Sequence, residues 1–450
     1  MEGGLYRFLL RLEKGGSIRA KNEKILLKSR NRTAGVSKKG EKSMFAVVKL
    51  EFKKIATKNN ALIACLFLLI CVAKILPYSQ SLDMVLEGGK FGSGLSYWKL
   101  MKEEGIKYDG LLTEEQMKKV QTLYNESKEK DFVEGARTEE KELGLKLIYP
   151  FQWLAQSLNF PKDIEIQDFS IHMSDQGIEN FYQDRLKAIG SWVRASYRSY
   201  DRSEVESILR QAGDVKTPLC YAYNEGWRYM GDALHMTFYI FLIYLALALS
   251  SLTSAGEAQG FTEMDVHAKN GRLSLYLAKV RSAELFAGLA YLAYLFFLLL
   301  YHGMIYSLHG ANASIEFYAG PAIFNLTTWQ GYFLEALSGF AAVLVVVNII
   351  LLFSLVFRKS KVSLLVLVLA FVWLQKWADS PQPWANTLAY FTPQNFVRGN
   401  FSASKLFVLQ NHVYPFTAMA CFLSLIYIAS SRILAMPIMN RYYLKGGEGK

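Results

Sequence analysis

Cysteine is scarce in this chain, with four residues among 450. Cys65, Cys71 and Cys421 lie in strongly apolar stretches, so Cys220 stands alone in the long polar segment between the first two stretches. A lone cysteine cannot form a disulfide within that segment, and the cysteines therefore say little about the redox compartment. No two cysteines have the short spacing of a zinc site either.

Motifs for catalysis and nucleotide binding are also missing. The chain has no Gly-x-x-x-x-Gly-Lys-Ser/Thr loop for a nucleotide phosphate and no His-Glu-x-x-His pair for zinc. Its histidines are scattered near the ends of apolar stretches or in polar segments: His172, His235, His267, His302, His309 and His412. We therefore expect no cofactor and no metal on this chain, and we do not expect it to be an enzyme.

What the chain has in abundance is apolar sequence without charge. A helix needs about 20 apolar residues to cross a hydrocarbon core of about 30 Å, and six stretches approach that length without the period-2 alternation of a barrel strand. They are 61–75, 236–252, 285–306, 336–357, 362–375 and 413–431. These stretches predict an all-α polytopic membrane protein with six transmembrane helices. Stretch 362–375 is short enough to enter and leave the membrane on one side. In that case the basic C-terminus would lie outside the cell, against the rule that Lys and Arg near span ends stay on the cytoplasmic side.

Positive charge is distributed unevenly along the chain. Residues 1–58 contain sixteen Lys and Arg residues. Segment 77–232 contains twenty Lys and Arg but twenty-six Asp and Glu, so its net charge is negative, and segment 307–331 contains no Lys or Arg. Lys and Arg near span ends stay on the cytoplasmic side. Both termini are therefore predicted to be cytoplasmic, with a large, mainly helical extracytoplasmic domain between spans 1 and 2. Orientation and anionic lipid account for the net charge of +12, so no nucleic-acid partner is expected.

These patterns divide the chain into successive segments. Residues 1–43 form a basic tail with a net charge of +8, and Met44 offers a second start. We hypothesise that translation begins at Met44, which the intact mass of the natural protein would decide. The further segments are an amphipathic interfacial helix (44–58), span 1 (59–77), the extracytoplasmic domain (78–232), a membrane domain with spans 2–6 (233–440), which includes a cytoplasmic turn (254–283), and a cytoplasmic tail (441–450).

Local signals predict two helix starts in the extracytoplasmic domain. Thr113-Glu114-Glu115-Gln116 and Ser203-Glu204-Val205-Glu206 both have the form of a capping box, in which side chains satisfy free backbone N–H groups. Gly213 is expected to end the second helix in the left-handed conformation.

The cytoplasmic turn 254–283 is rich in small and charged residues. Glu257 and Gly260 follow the second apolar stretch, and Gly271-Arg272 and Ala278-Lys279 precede the third. By spacing alone, this pattern also fits an ordinary hairpin linker with solvated charges.

The turn resembles the segment between the second and third spans of ABC type-2 exporter permeases. In that family a Glu, three residues before a Gly, follows the second span, and a Gly-Arg and an Ala-Lys precede the third. The layout is similar over residues 44–440, and the aromatic segment 218–234 resembles the approach to the second span in some bacterial members. The chain departs from the family at Phe261, where a Thr is usual, and at 268–270, where Thr-Pro or Ser-Pro is usual.

The resemblance implies that the turn docks in a separate ATP-binding subunit, which carries the ATP and magnesium. It implies a second permease copy, as a homodimer or with a sister permease, in the plasma membrane of a bacterium. Residues that would contact or position the partner, none of them catalytic, are Glu257, Gly260, Gly271, Arg272 and Lys279. Two other classes stay open: a non-transporting sensor or anchor that binds a ligand through its outer domain, and a membrane enzyme using Asp379, Gln394, Asn395 and Arg398.

Overall fold

The structure is a computed structural model that describes residues 45–80, 84–86, 90–92, 95–129, 178–195, 200–250, 252, 271–320, 322–357, 360–378, 382–398, 401 and 405–445. Helix α1 covers residues 45–55 and is followed by α2, Lys58–Gln80. The Asn60 side-chain amide donates to the backbone carbonyls of Ile55 and Ala248, which ties the α1–α2 corner to the helix bundle. The predicted basic tail 1–43 lies outside the described residues.

Short helices and strand pairs follow α2. They are β1 (Met84–Leu86), β2 (Lys90–Gly92), α3 (Leu95–Gly105), a 3₁₀ turn (Ile106–Tyr108), β3 (Gly110–Leu111), α4 (Glu114–Glu129), α5 (Phe181–Ala195), α6 (Arg202–Gly213) and β4 (Cys220–Tyr221). β1 pairs with β2, and β3 with β4, both antiparallel. We call the described residues from 84 to 224 the interspan domain. Helices make up most of it, as its sequence predicts, whereas no alternation in the sequence predicts the strand pairs.

The cap of α6 differs from the predicted one. Asp201 precedes the helix and accepts the Glu204 N–H at 2.8 Å, while the Glu204 carboxylate accepts the Asp201 N–H at 3.0 Å. The prediction that Ser203 caps the helix is wrong, because the carboxylate of Asp201 is a stronger acceptor at a helix N-terminus and the Ser203 hydroxyl donates to it. Gly213 is the last residue of α6, but neither it nor Asp214 is left-handed, so that prediction is wrong too.

The cap of α4 matches half of its predicted box. The Thr113 hydroxyl accepts the Gln116 N–H at 3.3 Å, as expected. The Gln116 side chain does not return to Thr113, because it donates instead to the Tyr108 carbonyl at 2.9 Å, and the Thr113 N–H donates to Leu111.

The second half of the chain contains most of the long helices. In order they are α7 (Glu225–Leu249), α8 (Gly271–Ile305), the short α9 (Glu316–Ala319), α10 (Thr328–Phe357), α11 (Ser360–Ala378), α12 (Pro383–Tyr390), a 3₁₀ turn (Pro393–Asn395), the hairpin β5 (Phe407–Leu409) and β6 (His412–Tyr414), and α13 (Phe416–Lys445). α10 lies at the centre of the bundle, where it packs against α7, α8, α11 and α13.

Five described helices are long and apolar enough to cross a membrane, by length and composition: α2, α7, α8, α10 and α13. This agrees with the prediction of a polytopic helical membrane protein. The apolar part of α11, Lys361–Leu374, is shorter.

Helix boundaries differ from the predicted stretches. α8 begins at Gly271 rather than at residue 285, and α10 begins at Thr328 rather than at residue 336. The predicted start of the last stretch at residue 413 is wrong, because Val413 and Tyr414 belong to β6. Pro415 disfavours helical geometry at the residue before it, so α13 starts only after this proline.

The interspan domain packs on two segments that connect the long helices. Ile189 and Ile208 of the domain share one buried apolar cluster with Ile323, Leu406 and Val413. The Tyr200 hydroxyl also donates to the Leu406 carbonyl at 3.0 Å. Segments 307–327 and 405–414 therefore lie at the same end of the bundle as the domain.

Candidate functional site

Three of the five predicted coupling residues lie in α8. Glu257 and Gly260 lie outside the described residues, whereas Gly271 and Arg272 are the first residues of α8 and Lys279 is half-buried further along it. The described end of the predicted turn is therefore part of one continuous helix of 35 residues. At 1.5 Å per residue this helix is about 52 Å long, so it extends well beyond a hydrocarbon core of about 30 Å.

α1 braces the first part of α8. The Ser282 hydroxyl donates to the Val48 carbonyl at 2.9 Å, and Phe52 meets Phe286 edge to face with ring centroids 6.2 Å apart. A displacement of the start of α8 therefore also moves α1 or breaks these contacts.

Three long helices are joined by one hydrogen-bonded polar group, which we call the three-helix cluster: Glu284 of α8, Asn348 of α10 and Arg432 of α13. Glu284 Oε1 accepts from Arg432 Nη2 at 2.6 Å and from Asn348 Nδ2 at 2.8 Å. Arg432 Nε donates to Asn348 Oδ1 at 3.2 Å. The sequence places Glu284 and Arg432 just outside predicted spans, as ordinary flanking charges, and contains no local signal that pairs them.

A second polar group, which we call the junction cluster, lies at the end of the bundle that carries the interspan domain. It consists of His235 of α7, Tyr318 of α9 and Glu335 of α10. The Tyr318 hydroxyl donates to Glu335 Oε2 at 2.5 Å, and His235 Nε2 lies 3.1 Å from the same oxygen. Glu335 is 2% exposed, so these partners replace the water that its carboxylate has lost. In the sequence, His235 is one of several scattered histidines, and no local pattern pairs it with Tyr318 or Glu335.

Three of the four polar residues that the sequence offers to an enzyme lie among the described residues. Asp379 lies outside the described residues, whereas Gln394 and Asn395 are buried in the 3₁₀ turn that packs on α7 and α10. The Asn395 amide donates to the Ala389 carbonyl at 3.0 Å, which is a turn-forming contact. Arg398 follows that turn and is a charged neighbour of His235.

Lys405 is a buried lysine that binds the backbone of the same 3₁₀ turn. It is 3% exposed, and its ammonium group donates to the carbonyls of Asn395, at 3.2 Å, and of Arg398. The nitrogen also lies 4.4 Å from the ring centroid of Tyr390 and 4.6 Å from that of Phe416. Burial, with the positive charge of Arg398, lowers the pKa of Lys405 to about 7.

α9 connects the junction cluster to the interspan domain. Arg185 of α5 forms a buried ion pair with Glu316, and its Nε lies 3.0 and 3.1 Å from the two carboxylate oxygens. Arg185 and Glu316 are each 1% exposed; burial raises the pKa of Glu316, and Arg185 opposes that rise. The Phe317 ring meets that of Tyr221 with centroids 5.0 Å apart. Consecutive residues of α9 thus contact the domain and α10.

No group of three or more His, Cys, Asp or Glu side chains that could hold a metal ion occurs within the part of the chain that the structure describes. The polar clusters join helices to each other. Comparison of the chain with protein-family models, with curated proteins and with solved structures gives no match.

Proposed function

We propose that this chain is the membrane-spanning permease subunit of an ATP-driven ABC exporter, energised by a separate ATP-binding subunit that docks on turn 254–283. The observation that carries the proposal is the residue pattern of this turn, in which Glu257 and Gly260 precede Gly271-Arg272 and Ala278-Lys279. The continuous α8 supports it, because a helix that receives a partner at its first residues can transmit that partner's movement along its whole length.

The three-helix cluster supports the same function at the level of mechanics. A ligand that binds one conformation better than another shifts the equilibrium by its differential affinity. Glu284 joins α8 to α10 and α13 through Asn348 and Arg432. Docking at the start of α8 would then act on three candidate spans together, in a chain that works with a second permease copy.

The finer topology is part of the proposal. Six spans are proposed, with α11 as the fifth, because α11 lies between the end of α10 and the hairpin that touches the interspan domain. The domain is proposed to be extracytoplasmic, both termini cytoplasmic and the membrane a bacterial plasma membrane, since Lys and Arg concentrate at the opposite end.

A second candidate function is a non-transporting sensor or anchor that binds a ligand through the interspan domain. The observation that favours it is α9, through which the buried Arg185–Glu316 pair connects the domain to α10. A sensor of this kind would need no ATP-binding partner.

Purification of the tagged chain from its native host in a mild detergent tests the proposal. We expect an ATP-binding subunit to co-purify and hydrolyse ATP, and Glu257→Ala or Arg272→Glu to leave membrane insertion intact. Arg272→Glu should reduce the recovered partner at least about tenfold, the effect of losing one charge-assisted contact. Lys361→Glu is the matched control, because it reverses an exposed charge at the same end of the bundle.

Recovery of the wild-type chain with no ATP-hydrolysing partner would overturn the transporter proposal and favour the sensor. Equal partner recovery with Arg272→Glu and with the wild-type chain would remove turn 254–283 as the docking site.

A further inference from the structure

The junction cluster brings titratable side chains from three helices to one buried oxygen. His235 comes from α7, Tyr318 from α9 and Glu335 from α10, and both partners of Glu335 meet its Oε2. A histidine changes its charge within the physiological pH range more readily than other side chains. None of its three residues belongs to turn 254–283.

The surroundings of the cluster contain both signs of charge. The charged and titratable groups that face it are Asp232 on α7, Tyr291 on α8, Tyr332 on α10, and Arg398 and Lys405 on the segment before α13. Before His235 takes up a proton, the site therefore contains two carboxyl groups, Asp232 and Glu335, and two basic groups, Arg398 and Lys405. Protonation of His235 adds one positive charge directly beside Glu335.

We propose that His235, Tyr318 and Glu335 form a proton-binding site whose occupancy controls how firmly α9 holds the interspan domain. Without the added proton, the Tyr318 hydroxyl shares Glu335 Oε2 with a neutral imidazole and donates the shorter of the two hydrogen bonds. With the proton, the His235 imidazolium forms an ion pair with the same oxygen, and less negative charge remains for Tyr318. Proton uptake therefore strengthens one contact of Glu335 Oε2 and weakens the other.

The weakened contact matters for the domain because α9 is a single short turn. Tyr318 lies two residues from Glu316, whose carboxylate receives the buried Arg185 of α5. Between them, Phe317 packs on Tyr221, and its carbonyl accepts from Asn224 Nδ2 at 3.2 Å. Loosening Tyr318 weakens a buried hydrogen bond between α9 and α10, so the turn and its attachment to α5 become easier to open.

Hydrogen exchange of the full chain in detergent micelles tests this site. Exchange is measured by mass spectrometry at about pH 5.5 and about pH 8, on either side of the ordinary histidine pKa of about 6.5, and is corrected for the intrinsic rate at each pH. We expect protection of α9 and α5 in the wild-type chain to be about tenfold lower at the acidic pH, the effect of weakening one charge-assisted hydrogen bond.

Two variants distinguish an effect of His235 protonation from a general effect of pH on the folded protein. His235→Gln keeps a hydrogen-bond donor but cannot titrate, so most of the pH difference in protection should disappear. Any smaller difference that remains is assigned to Lys405, which also faces the cluster and has a pKa of about 7. His412→Gln, at an exposed histidine of β6, is the control and should keep the wild-type difference. Equal protection at both pH values in the wild-type chain, or an unchanged difference in His235→Gln, would overturn the proposal.

A third variant keeps the test decisive should His235→Gln fail to fold. Tyr318→Phe removes only the hydroxyl group, and it should lower the protection of α9 at about pH 8 at least to the level of the wild-type chain at acidic pH. Wild-type protection in this variant at about pH 8 would show that the Tyr318–Glu335 contact does not hold α9, and the proposal would fall.

Discussion

Arg185 is a charged side chain that the fold removes almost completely from water. Besides the ion pair with Glu316, its Nη1 donates to the Ala212 carbonyl at 3.1 Å and its Nη2 to the Ala322 carbonyl at 2.6 Å. All three nitrogens thus have partners, two of which come from the segment between α8 and α10. A buried pair is weak evidence for net stability, but removing one partner leaves an uncompensated charge.

Arg185→Met should therefore destabilise the chain far more than its lost contacts suggest. The Glu316 carboxylate would remain buried without a counter-charge, which costs about 3–5 kcal/mol. Chemical unfolding of the purified protein measures the loss. The double variant Arg185→Met/Glu316→Leu should recover most of it, because no buried charge remains.

Arg202→Met is the matched control, since the Arg202–Glu206 pair is exposed and its loss should change stability little. A double variant as unstable as Arg185→Met alone would show that packing, and not the unpaired carboxylate, sets the loss.

At the scale of helices, α10 carries a polar residue near each end of the bundle. Glu335 and Asn348 lie about 20 Å apart along its axis at 1.5 Å per residue. The first contacts α7 and α9, and the second contacts α8 and α13. α10 is thus the element through which a change at one cluster can reach the other.

The three-helix cluster predicts a ranking of variants at this scale. Asn348→Leu should lower stability by about 0.6 kcal/mol and by no more than about 1.7 kcal/mol, the average and the maximum found for hydrogen bonds between membrane helices. Glu284→Gln should lower it further, because the Arg432 guanidinium then loses its carboxylate partner. Thermal unfolding in detergent measures both losses. Arg281→Gln is the control, because it removes an exposed charge on the same helix and should leave the stability unchanged. If Glu284→Gln lowers the stability no more than Arg281→Gln does, the cluster does not hold the helices together.

Helix positions could be predicted from this sequence better than helix ends. Long uncharged stretches identify candidate spans, because few other structures use them. A sequence-based boundary stops at the first charge, however, and Glu284 and Glu335 lie inside α8 and α10. Their partners Arg432 and His235 stand 148 and 100 residues away in the chain, so no local pattern reveals that these charges are satisfied.

The candidate sites differ in how far they could be predicted, because some of their residues are close in sequence and others meet only in the folded protein. The coupling residues could be proposed because they are close in sequence and form a recognisable pattern. The junction cluster could not, because each of its residues is unremarkable where it stands: His235 and Glu335 border apolar stretches, and Tyr318 lies in a short connection. Only the packing of α7, α9 and α10 brings them together.

At the scale of the whole molecule, charge and packing give the bundle two different ends. The interspan domain touches segments 307–327 and 405–414, while the basic residues of α1 and Lys361 lie near the opposite end. Because Lys and Arg stay on the cytoplasmic side, this asymmetry predicts which groups of the folded protein face the outside of a cell.

Single cysteines introduced into a cysteine-free version of the chain test this orientation with a maleimide that does not cross membranes. Ser203→Cys in the interspan domain and His412→Cys in the β5–β6 hairpin are both exposed and should react in intact cells. Lys361→Cys, exposed at the start of α11, should react only after the membrane is permeabilised.

The pair His412→Cys and Lys361→Cys lies on either side of α11 in the chain and so tests whether this short apolar helix crosses the membrane. Reaction of Ser203→Cys without His412→Cys would contradict the packing of the domain on the hairpin, whereas reaction of all three in intact cells would refute the six-span topology.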